Sequence, residues 1–189
     1  MVAAISRAID ENKMKIFDPN WQSSAPLDAL RYIFREDETC GPIPLLEERL
    51  ASLHQLGRFT NNSCNGNLVN LIRHANGSAM KLIDEIVKMS MWNDVSTFHG
   101  ENVQIMKRAQ LLIADLWYCA NQSPETEISK LCKFSDISEL TGLADYRVPQ
   151  SLLDMGVITY SDILLEILKT EKQIEPNDPL EVEIRGVSL

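Results

Sequence analysis

Apolar residues along this chain recur mainly at three- and four-residue spacing and seldom in alternation, a pattern that predicts helices. Val2, Ala3, Ile5, Ala8 and Ile9 form such a face directly after the initiator Met, without a cap or a polar lead. That start suits an ordinary amino-terminal helix better than a chain cut inside a unit. Between Asp18 and Pro44 the runs DPNWQSSAP and DETCGPIP break the pattern and enclose a short helical segment, LDALRYIFR, with Leu27, Leu30 and Phe34 on one face. A stronger helix is expected from Pro44, with Leu46, Leu50 and Leu53 aligned and Glu47 and Glu48 near its positive end. It is expected to stop around Gly57, with NNSCNGN as a turn and 68–75 as another short helix ended by Asn76 and Gly77.

Ser78 suits the cap of the next helix, whose stripe is Leu82, Ile83, Ile86 and Val87, with Asp84 four residues before Lys88. The weak alternation of DVSTFH predicts a short strand or an extended crossing before Gly100. From Val103 to about Ala120 the sequence reads as a helix apolar on most sides, running through the centre of a domain. Its charges Lys107, Arg108 and Asp115 then need partners or a polar cavity. Three short helices follow within 128–169: Asp136 with Glu139 suits a capping box, Pro149 opens the second, Gly156 ends it, and Ser161 caps the third. LEVEI at 180–184 alternates like a strand, and the apolar end GVSL again suggests a chain cut inside a unit. The fold class is therefore mainly α, with at most a few short strands.

Composition adds limits. The 189 residues are 44% apolar and 24% charged, ordinary globular usage with few Gly and Pro, enough for one domain or a domain and a half with a real core. Eighteen Lys and Arg against 27 Asp and Glu give a net charge of -9, the wrong sign for a protein that lives on a phosphate backbone, so no stable nucleic-acid partner is expected. Cys40, Cys64, Cys119 and Cys132 form no CxxC pair, which suggests reduced thiols and an intracellular, cytoplasmic protein. The longest uncharged run, Phe59 to Ile72, is rich in Asn, so no membrane span is expected.

His54, His74 and His99 lie in separate segments without ligand spacing, so no metal site and no cofactor are expected. Cys64 and Cys119 lack a local base, and a structural role suits them better than a nucleophilic one. Neither GxxxxGK[ST] nor GxGxxG occurs. LLDMGVITYSDILLEIL has the outline of a helix, turn and helix, yet its single Gly and acidic flanks suit packing better than phosphate binding. Two clusters set polar residues in apolar sequence. Lys107 and Asp115, two turns apart, lie near one face of a helix, so Lys107 either grips an anion or forms an internal ion pair or reaches solvent. In TGLADYRVPQ, Asp145, Tyr146 and Arg147 follow one another in a loop, either presenting binding groups or supplying a cap and a surface Arg.

The wording of these segments is itself informative. KRAQLLIADLW, ADYRVPQ, GVITYSDILLEIL and EVEIRGVSL, with PLLEERLASLHQLG and more loosely VAAISRAIDEN, resemble the queuosine salvage proteins, the queuosine 5'-phosphate N-glycosylase family. The resemblance covers essentially the whole chain. It implies a compact helical fold like that of the helical DNA glycosylases. The implied activity is hydrolysis of the N-glycosidic bond of queuosine 5'-monophosphate, releasing queuine for salvage into tRNA. Such chemistry needs a base pocket, a phosphate grip and a carboxylate beside an anomeric carbon that gains oxocarbenium character, without a metal. By motif, Asp145 is implied to read the guanine-like edge of the base, Leu143 to stand where the family commonly has Phe beside the base, and Tyr146 and Arg147 to shape the pocket. Lys107 is the candidate for the 5'-phosphate.

The resemblance also implies that residues 1–189 are the central part of a single glycosylase domain. The family's late Asp–Tyr–Asp motif, carrying its presumed catalytic carboxylate, and its amino-terminal segment with a base-pocket His would lie beyond Leu189 and before Met1. No catalytic residue is then expected within the chain, which alone should have little or no activity and an exposed, weakened core. The rival expectation is a non-catalytic helical module that binds RNA or a protein.

Overall fold

In the computed structural model, which describes residues 2–11, 14–36 and 41–189, the chain is mainly helical: eleven α-helices and one two-stranded hairpin among the described residues. It divides into two compact units, Met1–His74 and Ala75–Leu189. The DETC half of the second expected break, with Cys40, lies outside the described residues.

In the first unit α1 (Val2–Asp10), α3 (Leu27–Ile33) and α5 (Val69–Ala75) fall where the apolar spacing puts them. Ala8, Ile16 and Ile33 form a buried cluster against which Ile5, Trp21 and Phe34 pack. The run DPNWQSSAP is not merely a break: it contains the short helix α2 (Pro19–Gln22), because the Asp18 carboxylate accepts the Asn20 N–H at 2.9 Å and Pro19 supplies a ready-made first-turn φ. Nor does Gly57 stop its helix. α4 runs Leu46–Ser63, and Gly57 is buried inside it. A Cβ at Gly57 would lie 2.3 Å from the Ser23 nitrogen and 2.7 Å from the Pro19 carbonyl oxygen, so glycine serves the close crossing of α2 and α4. The turn expected at NNSCNGN is correspondingly shorter, with Asn65 and Gly66 at positive φ after the helix ends.

In the second unit Ser78 caps α6 (Ala79–Ile86) as expected, through a bond from the Lys81 N–H, and Leu82, Ile83 and Ile86 are buried. Lys88 pairs with Glu85 and not with Asp84. Asp136 forms no box with Glu139. Its carboxylate instead accepts from the Ser78 hydroxyl at 2.7 Å, the Ala79 N–H at 2.6 Å and the Met80 N–H at 3.2 Å, closing the start of α6 from 58 positions away.

Strands β1 (Val95–Phe98) and β2 (Glu101–Gln104) pair antiparallel, Val95 opposite Gln104 and Phe98 opposite Glu101. Their two-residue turn, His99 and Gly100, has positive φ at both positions, as in the primed turns that match strand twist. This pairing takes residues 103 and 104 from the expected helix, and α7 begins at Lys107 and runs to Gln122. Only one face of α7 is covered, with Ala109, Gln110, Ile113 and Ala120 buried while Trp117, Tyr118 and Asp115 are exposed. Asp115 therefore needs no internal partner.

The short helices α8 (Glu127–Leu131), α9 (Arg147–Asp154) and α10 (Asp162–Lys169) follow, with a 3-10 turn at Ile137–Glu139 in place of the first of the three expected. Ser161 caps α10 and Gly156, at φ 71°, ends α9. LEVEI is not a strand. It belongs to α11 (Pro179–Gly186), which Asp178 caps through the Leu180 N–H at 2.9 Å and Pro179 opens. A proline just after an Asp outweighs two cycles of alternation, because it fixes helical φ and removes an N–H that would be unpaired there anyway. No described helix is long and apolar enough to cross a membrane.

Candidate functional site

The second unit contains a cavity of about 720 Å³. Its wall comes from the segment before β1, the start of α7, the loop entering α9, residues around α10 and one face of α11. Three of the five expected site residues line it: Lys107, Asp145 and Tyr146. Arg147 is exposed, its guanidinium 5.0 Å from the centre of the Tyr146 ring and 3.3 Å from Gln150 Oε1. Leu143 is half-buried and is not part of the cavity wall.

The loop that presents Asp145 is tied down on both sides. Buried Gln110 of α7 accepts the Thr141 N–H at 2.8 Å, and its amide donates to Thr141 Oγ1 at 3.0 Å. At Gly142 a Cβ would lie 2.1 Å from the Ser188 carbonyl oxygen, so the end of α11 passes directly over the loop. Asp145 then uses its two oxygens differently. Oδ1 accepts the N–H groups of Arg147 at 2.8 Å and Val148 at 3.2 Å, capping α9, while Oδ2 lies 3.6 Å from Lys107 Nζ. The Arg147 N–H is the main cause that holds this carboxyl below the usual carboxylate range. Burial opposes it, and Val148 and the Lys107 ammonium reinforce it. Cap and cavity group are thus one residue. The ion pair Lys107 makes is with Asp145 and not with Asp115.

Sequence reasoning missed Asp94 and Arg185. Arg185 Nη2 donates to Asp94 Oδ2 at 2.5 Å, Nη1 to Glu181 Oε1 at 3.2 Å and Nε to the Ala144 carbonyl at 3.2 Å. Burial works against its charge, and the bonds to Asp94 and Glu181 outweigh it and raise its value. The available signal was the Glu181–Arg185 spacing of four behind Asp178–Pro179, hidden by reading LEVEI as a strand. Tyr160 also lines the cavity, and burial pushes its phenol above the usual value. Four cations (Lys107, Arg108, Lys172, Arg185) and three carboxylates (Asp94, Asp145, Glu181) line the wall, a local excess of positive charge in an acidic chain. An acceptor-only carboxylate beside cations, in a partly apolar cavity, can receive paired N–H donors of a planar base while an anionic group meets the ammonium.

The histidines stand apart from this wall. His54 bonds the Ala25 carbonyl at 2.8 Å and the His99 ring packs edge-on against Phe98. Among the described residues no group of three His, Cys, Asp or Glu is placed to hold a metal ion. Cys64 and Cys132 are buried and Cys119 is exposed.

The sequence matches the family described as queuosine salvage protein over residues 1–189. Among curated relatives, proteins named queuosine 5'-phosphate N-glycosylase/hydrolase are 36% identical in Bos taurus, 37% in Nematostella vectensis and 32% in Schizosaccharomyces pombe. Each alignment takes in 100% of this chain and, respectively, 53%, 52% and 54% of the relative, so the chain spans about half the length of the curated relatives it matches. With a match across its full length and relatives from animals to yeast, the chain belongs to the queuosine salvage protein family.

Proposed function

We propose that the cavity binds queuosine 5'-monophosphate and serves hydrolysis of its N-glycosidic bond, releasing queuine. The observation that carries this reading is Asp145: a carboxylate held ionised by two backbone N–H groups, with its second oxygen at the cavity beside a lysine. Oδ2 accepts the adjacent N–H donors of the guanine-like edge, and because an ionised carboxylate is acceptor-only at both oxygens it can do so while Oδ1 serves the helix start. Lys107, whose ammonium has further donors besides the one facing Asp145, meets the 5'-phosphate. Tyr146 covers the base, and Arg147 steadies the Tyr146 ring from outside. Leu143 acts one layer behind, supporting the loop.

The rival reading, a module that docks α9, its turn and α10 on RNA, finds little support. Asp154, Asp162 and Glu166 lie on those helices, and Lys169 is paired with Glu166.

Calorimetric titration of the chain with queuine tests the proposal. Asp145→Asn keeps the volume and loses the acceptor-only character, and is expected to weaken queuine binding about tenfold or more, since a bond to a charged group is worth roughly 1.5–3 kcal/mol. Equal affinity in the folded variant would refute the base-reading role. Mass-spectrometric assay of queuine released from queuosine 5'-monophosphate is expected to show little or no turnover by this chain, since none of these residues is assigned as the catalytic carboxylate; turnover comparable to a complete homologue would overturn that.

A further inference from the structure

Arg185 spreads its guanidinium over three elements. The bond to Glu181 is local to α11, but the other two reach across the unit, to Asp94 before β1 and to Ala144 in the loop before α9. Both distant partners adjoin the residues of the site. Ala144 immediately precedes Asp145. Asp94 holds the start of α7: its Oδ2 accepts the Lys107 N–H at 3.3 Å, and its carbonyl accepts those of Ile105 at 3.0 Å and Met106 at 3.4 Å. Lys107 and Asp145 are thus anchored on either side of a single planar group whose side chain is 19% exposed.

We propose that Arg185 is a positioning residue of the cavity, fixing the Asp145 carboxylate against the Lys107 ammonium by clamping Ala144 and Asp94 at once. This rests on the reading of Asp145 as the base-contacting group. The contact it sets, 3.6 Å between Nζ and Oδ2, is long, and a small displacement of either anchor ends it. Lysine cannot replace the clamp, because one compact ammonium has no rigid fork to span a carbonyl and two carboxylates in different directions.

Titration of the aspartate side-chain carboxyls by carbon-13 NMR tests this without any ligand, so it can fail while base binding stands, and base binding can fail while it stands. The charged and titratable groups that line the cavity with Asp145 are Lys107 and Arg108 of α7, Asp94, Tyr146, Tyr160, Lys172 after α10, and Glu181 and Arg185 of α11, while the Arg147 guanidinium lies outside against the Tyr146 ring. Arg185→Lys keeps the positive charge and removes the fork. Its Asp145 midpoint is expected to rise toward the ordinary carboxylate value, while Asp136, held low by the start of α6, stays where it is and reports an intact fold. Asp94→Ala, which removes the oxygen that accepts from both Arg185 and the Lys107 N–H, gives an independent check. Losing a negative charge at the cavity would by itself lower the Asp145 midpoint, so a rise there has to come from geometry. Glu181→Gln spares both long-range bonds and also removes a negative charge from the cavity, so it is expected to lower the Asp145 midpoint slightly and not to raise it. An unmoved Asp145 midpoint in Arg185→Lys and Asp94→Ala would overturn the proposal. So would parallel loss of the Asp136 and Asp145 midpoints, which would make Arg185 a stability residue only.

Discussion

Asp136 and Asp145 are the same side chain doing the same local work, and they differ in what is left over. Both accept from N–H groups at the start of a helix. Asp136 spends both oxygens there, on Ser78, Ala79 and Met80, whereas Asp145 keeps one oxygen for the cavity. Burial disfavours the Asp136 carboxylate, but the Ser78 hydroxyl and the two N–H groups outweigh it and lower its value. Replacing Asp136 by Ala is expected to cost about 1–2 kcal/mol of stability, the range of a lost helix cap. The pH dependence follows from the sign of the shift. A carboxyl lower in the folded than in the unfolded state stabilises above its unfolded value, and that stabilisation disappears as pH falls through the folded value. The difference in melting temperature between Asp136→Ala and the parent should therefore be full at neutral pH and shrink only on acidification below about pH 4, the unfolded value. A gap that stays constant across that interval would show that the bonds to Asp136 do not depend on its charge. The loop role of Asp145 was legible from ADYRVP, since its partners lie two and three residues away. The role of Asp136 was not, because its partners are 56 to 58 residues distant and a nearer candidate, Glu139, fitted a familiar spacing.

At the scale of elements, helices were legible wherever one apolar face and its cap lay in the same stretch, as in α6 and α10. They were misread where a neighbour decided the outcome. Gly57 looks like a stop, yet its missing side chain is what lets α4 pass α2. Gly57→Ala turns this into a measurement. In an isolated helix the change stabilises by about 1 kcal/mol. Here the added methyl meets backbone atoms of α2 at 2.3 and 2.7 Å that cannot swing aside, and overpacking of this kind costs roughly 1–3 kcal/mol. Urea denaturation is therefore expected to give a lower midpoint for Gly57→Ala. A raised midpoint would mean that the crossing relaxes without cost. The same logic explains the hairpin. Val103 and Gln104 suit a helix by their apolar context, but pairing with β1 through the His99–Gly100 turn fixes them as strand, and the helix can start only where Asp94 receives the Lys107 N–H.

At the scale of the whole molecule, charge is distributed against the general trend of the sequence. The cavity wall contains four of the eighteen cations and three of the 27 carboxylates, so fourteen cations stand against twenty-four carboxylates elsewhere. A ligand small enough to enter meets the local excess of positive charge. A polyanion lying across the surface meets mostly carboxylates, and it gains little from counterion release, because few of its phosphates find a cation. The site could not be located from net charge alone, since Asp94 and Arg185 come together across 91 positions of sequence. This division is open to measurement. Queuosine 5'-monophosphate is expected to bind more tightly than queuine, with an affinity that falls only gently as salt is raised, because a mononucleotide's charge is merely screened and releases no condensed counterions. Lys107→Gln is expected to reduce the nucleotide's advantage over queuine. Transfer RNA added under the same conditions should not compete. If tRNA displaced the nucleotide with a slope of many ions, the surface would be gripping many phosphates at once, and the assignment of the cavity to a single small nucleotide would fall.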